Sequence, residues 1–216
     1  MPLVAGSLLA ADFACLRTDL QRLAAAGVPW LHLDCMDGHF VPPLTFGPLV
    51  IRQVRPLTRL VFNAHLMITN PQDQIAEVAR AGAQGIIVHR EVADDLRPLL
   101  EQIHAAGCEA GLSYKPATPL DDLPRWIAGL DMVLVMSVEP GWGGQEFLPE
   151  SLKRIAEVRR LLDEAGSPAY LGVDGGLNEV TGPQVLAAGA DVLVSGSFLL
   201  QHPGGLAQGV RELLGR

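Results

Sequence analysis

Eight short, almost uninterrupted apolar runs recur along the chain, each followed by a segment with one polar face. They fall at about residues 3–9, 30–35, 60–66, 85–89, 109–113, 132–137, 169–173 and 191–195, and include MVLVMSV and ADVLVSG. Strands apolar on both faces belong in a parallel sheet covered on both sides. Between them, Ser151–Ala165 places Leu152, Ile155, Val158, Leu161 and Leu162 on one stripe with charges opposite, the pattern of a surface helix. Asp12 and Asn178 read as helix N-caps. The pair Ala-Gly recurs at 26–27, 81–82, 106–107, 128–129, 165–166 and 188–189, each time closing a helix-like stretch before an apolar run. Glycine just past a helix is the usual left-handed cap. The expectation is an α/β chain folded as a (β/α)8 TIM barrel, a single domain over residues 1–216. An open doubly wound sheet usually has fewer strands and often a glycine-rich first turn, whereas the first turn here, SLLAADF, contains no glycine.

Charge narrows the function. With 16 basic against 24 acidic residues the net charge is -8, which argues against a nucleic-acid surface or an acidic-membrane anchor. A phosphorylated small molecule stays open, because backbone amides bind a phosphate without Lys or Arg. The three cysteines, Cys15, Cys35 and Cys108, follow no metal or redox spacing and are expected to be reduced. The start MPLVAGSLLAADF has no basic region and meets Asp12 early, so it does not read as a signal peptide. No charge-free apolar run reaches about 18 residues. A cytoplasmic location is the expectation.

In such a barrel the chemistry sits at the C-terminal ends of the strands. The second run ends LHLDCMDGHF; residues two apart share a face, so His32, Asp34 and Met36 point together. The third ends NAHLM, with His65 and Met67 on one face, and the seventh ends LGVDGG, presenting Asp174. Two imidazoles and two carboxylates form a mixed nitrogen and oxygen set suited to zinc, iron(II), manganese or cobalt. The last three strands lead into VEPGWGGQ, DGG and SGS. Gly141, Gly143, Gly144, Gly175, Gly176, Gly196 and Ser197 there offer amides to a phosphate. Met36, Met67 and Met136 fall near strand ends, as core filler or as a soft cap over a substrate. His39, His89, His104 and His202 read as surface or structural residues.

The motifs HLDCMDGHFVPPLTFGP, AHLMITNP, MSVEPGWGGQEF, VDGGLNEVT and AGADVLVSGS, in this order, resemble the ribulose-phosphate 3-epimerase family. The likeness runs from AGSLLAADFACL in the first strand to the eighth. It implies interconversion of D-ribulose 5-phosphate and D-xylulose 5-phosphate by inversion at C3. It further implies one divalent metal cation (Zn, Fe(II), Mn or Co) held by His32, Asp34, His65 and Asp174, with Asp34 and Asp174 as the acid–base pair. Inversion needs a base on one face of C3 and an acid on the other, and the metal would stabilise the enediolate between them. By the same likeness Ser7 and His65 contact substrate. The Gly141-Trp142-Gly143-Gly144, Gly175-Gly176 and Gly196-Ser197 loops hold the phosphate, and Met36, Met67 and Met136 form a cap. Family members are commonly dimers or hexamers, so a homo-oligomer acting on a small ketose phosphate is expected.

Several positions depart from the family's usual pattern: Gly6 for proline, Ala10 for serine, Asn63 for an acidic residue, Trp142 for phenylalanine, and Lys115 where asparagine commonly precedes the proline of NPATP. Lys115 and Trp142 bring in another ketose phosphate, such as allulose 6-phosphate, as an alternative substrate. A Schiff-base aldolase using Lys115 leaves the His/Asp set unexplained, and a metal-free sugar-phosphate-binding barrel would be told apart by its metal content.

Overall fold

The computed structural model describes residues 2–216; Met1, the first residue of the expected 1–216 domain, lies outside them. The eight strands are β1 (Leu3–Ser7), β2 (Trp30–Met36), β3 (Val61–Met67), β4 (Gly85–His89), β5 (Glu109–Tyr114), β6 (Met132–Met136), β7 (Tyr170–Asp174) and β8 (Val192–Ser195). Each lies within a residue or two of its apolar run. They pair in parallel in sequence order, and β8 closes onto β1 through the register Ala5 to Val194. The (β/α)8 barrel read from the alternation is the fold.

Two apolar layers hold it. Outside the sheet lie the helices α1 (Leu16–Ala25), α2 (Pro48–Val54), α3 (Ile75–Arg80), α4 (Arg97–Ala105), α5 (Ser151–Glu164), α6 (Thr181–Ala187), α7 (Ser197–Leu200) and α8 (Leu206–Leu213). Their buried stripes, such as Ile155, Val158 and Leu162 of α5, pack against outward strand residues including Leu31, Phe62 and Val133. Inside the barrel, Ala5, Trp30, Ile87, Met132, Leu134, Val192 and Val194 form a second cluster, so the cylinder is filled rather than open. Gly6 on β1 shows why two layers fit: a Cβ there would lie 2.7 Å from Leu23 of α1.

Two places differ from the sequence reading, the β5–β6 connection and Asp12. The β5–β6 connection holds only two 3-10 turns, Leu123–Arg125 and Ile127–Gly129. Gly129 accordingly has no positive φ, whereas Gly27, Gly82, Gly107, Gly166 and Gly189 do. Asp12 makes a local turn, accepting from the Ala14 amide, while α1 starts later with Cys15 ahead of it. Asn178 makes the bonds of an N-cap at the entry to α6, its side chain accepting from the Val180 and Thr181 amides and its carbonyl from the Gly182 amide.

Candidate active site

Strand register brings the polar residues together. Ser7 is paired with His32 and Asp34 with His65, while Asp174 ends β7 beside Met136 at the end of β6. His32, Asp34, His65 and Asp174 each present one ligand atom such that all four atoms lie within 4.8 Å of one another. His32 Nε2 is 3.3 Å from Asp34 Oδ1 and 3.5 Å from Asp174 Oδ2. His65 Nδ1 lies 3.3 Å from Asp34 Oδ1 and 3.3 Å from His32 Nε2. Bonds of about 2.0–2.2 Å from a central cation place its ligand atoms at most about 4.4 Å apart, so the set fits one cation after shifts of a few tenths of an ångström.

Burial and charge separate the two carboxyl groups. Asp34 is 4% exposed; burial opposes its ionisation, but His32 and His65 outweigh this and hold its pKa far below the ordinary range. Asp174 is pushed up to about 7 by burial first and by the Asp34 charge second, against the pull of His32. Burial, with His89 and His32 adding to it, drives the His65 pKa down to about 3 despite Asp34. His65 is therefore neutral near pH 7, the form that ligates. His32 moves the other way: burial disfavours its charge, yet Asp34 and then Asp174 raise its pKa.

Above this cluster a cavity opens, lined by Ser7, Asp34, Met36, Met67, Met136, Gly141, Trp142, Gly143, Gly144, Asp174, Gly175, Gly176, Gly196 and Ser197. Of the residues read as catalytic, metal-holding, phosphate-binding or capping, all line it except His32 and His65, which lie buried beneath. Met36, Met67 and Met136 are the terminal residues of β2, β3 and β6, and the first two pack with Val41 in a small apolar cluster of their own. Gly141, Gly144, Gly175 and Gly176 have positive φ, and a Cβ on Gly176 would lie 2.4 Å from the Phe147 backbone nitrogen. Among the described residues, no backbone acceptor takes the amides of Gly176, Gly196 or Ser197; they stand ready for an anion.

Other positions behave differently from the sequence reading. His89 is not a surface residue: it ends β4 fully buried, with Nε2 2.8 Å from Nε2 of His65. Its place at a strand end was the available signal. Ser137, just past β6, donates to the carbonyls of Asp174 and Gly175 at 2.9 and 2.7 Å and so pins the backbone that carries Asp174. The Lys115 ammonium sits 4.0 Å from the centre of the Phe40 ring, and no lysine lines the cavity, which removes the support for a Schiff-base reading.

A closed parallel barrel with its polar cluster and glycine loops at the C-terminal mouth is the layout of a (β/α)8 enzyme. The family model described as the ribulose-phosphate 3 epimerase family matches residues 3–200. Curated proteins named ribulose-phosphate 3-epimerase are similar across most of the chain. The one from Synechocystis sp. is 43% identical, covering 93% of this chain and 88% of the relative. The one from Bacillus subtilis is 44% identical with 90% of each covered, and that from Escherichia coli K12 43% with 93% and 90% covered. The chain belongs to the ribulose-phosphate 3-epimerase family. Among solved structures, a mutant tryptophan synthase alpha-subunit from Pyrococcus furiosus superposes with a TM-score of 0.73 over 100% of this chain and 98% of that one. At 18% identity that likeness concerns the fold alone.

Proposed function

We propose that the chain inverts C3 of a ketose phosphate, interconverting D-ribulose 5-phosphate and D-xylulose 5-phosphate. The observation that carries this reading is the pair Asp34 and Asp174, on β2 and β7, lining one cavity with opposite preferences for a proton. The hydrogen on C3 is acidic because it lies next to the C2 ketone. One carboxylate removes it from one face, and the other carboxyl group delivers a proton to the opposite face. Such a pair must differ in protonation during turnover, and in the metal-free protein burial and neighbouring charges already separate the two groups. His32, Asp34, His65 and Asp174 would hold a divalent cation (zinc, iron(II), manganese or cobalt), which supplies positive charge against the charge that develops on the substrate oxygens.

The remaining residues position the substrate. The amides of Gly176, Gly196 and Ser197, with the Gly141–Gly144 loop, would bind the phosphate, fixing C3 between the carboxylates. Met36, Met67 and Met136 present a soft apolar surface that keeps water from the enediolate. Ala10 and Trp142, both lining the cavity, are the departures from the family pattern that bear on substrate size. The test is to assay the metal-loaded protein on D-ribulose 5-phosphate and on allulose 6-phosphate. A higher kcat/KM on the pentulose, lost on chelation, is expected; preference for the hexulose would shift the substrate, and activity that survives complete metal removal would overturn the metal role.

A further inference from the structure

His65 offers Nδ1 to the cation site, and its other ring nitrogen is engaged by a buried chain of residues. His65 Nε2 lies 2.8 Å from His89 Nε2. His89 Nδ1 lies 3.1 Å from Oε2 of Glu91. The other oxygen of Glu91, Oε1, accepts from the Lys115 amide at 2.9 Å and from the Thr118 hydroxyl. His89 is fully buried, its ring stacked on His65 at 4.9 Å between centroids and 23° between planes, with Phe40 4.7 Å away. Neither imidazole has room to turn.

The direction of every bond in this chain then follows from which groups can donate. An ionised carboxylate only accepts, so His89 Nδ1 must carry the hydrogen it gives to Glu91. In a neutral ring that leaves His89 Nε2 as a bare acceptor. A short contact between two ring nitrogens needs one proton, so His65 Nε2 must donate it. His65 Nδ1 is thereby left with its lone pair free for a cation; with no cation bound, Asp34 Oδ1 at 3.3 Å accepts just as Glu91 does and competes for a proton at Nδ1. We propose that Glu91 and His89 are positioning residues that hold the proton of His65 on Nε2 while its Nδ1 ligates a cation, an inference that rests on the metal site proposed above. Partners of this kind on a ligand's far nitrogen fix ring orientation and raise its basicity.

Glu91→Gln tests this with little change of shape. The Lys115 amide and the Thr118 hydroxyl still require an acceptor, so the new amide group turns toward His89 and reverses every donor in the chain. Titrating metal-free protein with cobalt(II), followed by visible absorption, is expected to show about 10–100-fold weaker binding in Glu91→Gln and in His89→Leu. Nitrogen-15 NMR of the histidines in zinc-loaded, unmutated protein reads the tautomers without any variant, and is expected to place the proton of His65 on Nε2 and that of His89 on Nδ1. Cobalt binding within twofold of the unmutated protein in Glu91→Gln, or a His89 proton on Nε2 in the zinc-loaded protein, would overturn the inference while leaving the metal site standing. Failure of the unmutated protein to bind cobalt at all would overturn the metal site, and this role with it.

Discussion

The hydroxyl of Ser7 donates to Oδ2 of Asp34 at 2.8 Å, while Oδ1 of the same carboxylate faces His32 and His65, each at 3.3 Å. One oxygen is thus held from β1 and the other left for the cluster. Ser7→Ala removes the hold without enlarging the site by more than one oxygen atom. Metal affinity is expected to fall about tenfold, as when an outer partner of a ligand is lost. Competition against a chelator of known affinity measures it, and unchanged affinity would show that Ser7 does not orient Asp34.

Metal binding should depend on pH through Asp174. Burial and the Asp34 charge push its pKa to about 7, so in the metal-free protein it keeps a proton below that pH. A cation must displace that proton. Affinity should therefore fall at least tenfold per pH unit below 7, His32 with its raised pKa adding to the dependence, with proton release visible by calorimetry in buffers of different ionisation enthalpy. Stability of the metal-free protein should run the opposite way. Between the ordinary carboxyl value of about 4 and about 7 the folded state binds the extra proton, so stability declines as pH rises across that window. An affinity flat from pH 5.5 to 8 would contradict this environment for Asp174.

Gly176 occupies a conformation with φ +64 and leaves no room for a side chain beside the Phe147 backbone. Gly176→Ala should cost about 1–3 kcal/mol from backbone strain, seen as a lower midpoint of thermal unfolding. The same change shifts an amide that faces the cavity, so inorganic phosphate should inhibit or bind less well. Loss of stability with phosphate binding unchanged would remove this loop from the phosphate site.

Much of the architecture was legible because a barrel strand advertises itself. Buried on both faces, β6 and β8 read as continuous apolar runs, and Ala-Gly pairs mark where most helices stop. The β5–β6 connection escaped this logic. Ala128-Gly129 has the same letters as the other pairs, yet it ends a 3-10 turn in which Gly129 needs no left-handed φ. The His/Asp cluster was legible because period-two spacing sets His32 and Asp34 on one face and His65 and Asp174 fall at the ends of their own strands. His89 was not, because its meaning comes from a partner on the next strand. Only the β3–β4 register, with His65 opposite Ile87, sets His89 against His65, and its second partner, Glu91, lies in a turn beyond the strand. Ser137 was hidden for a similar reason: it acts on backbone carbonyls of β7 and the turn beyond it, which carry no mark in the sequence.

The claim on which the rest depends is that Asp34 and Asp174 move protons on and off C3 from opposite sides. Conversion of D-ribulose 5-phosphate in deuterium oxide, followed by proton NMR of both sugars, measures this directly. The metal-loaded protein should give D-xylulose 5-phosphate carrying solvent deuterium at C3, and Asp34→Asn and Asp174→Asn should each slow that incorporation by about 10²–10⁴-fold with the fold intact. Product formed with its original C3 hydrogen, or undiminished incorporation in either variant, would contradict it.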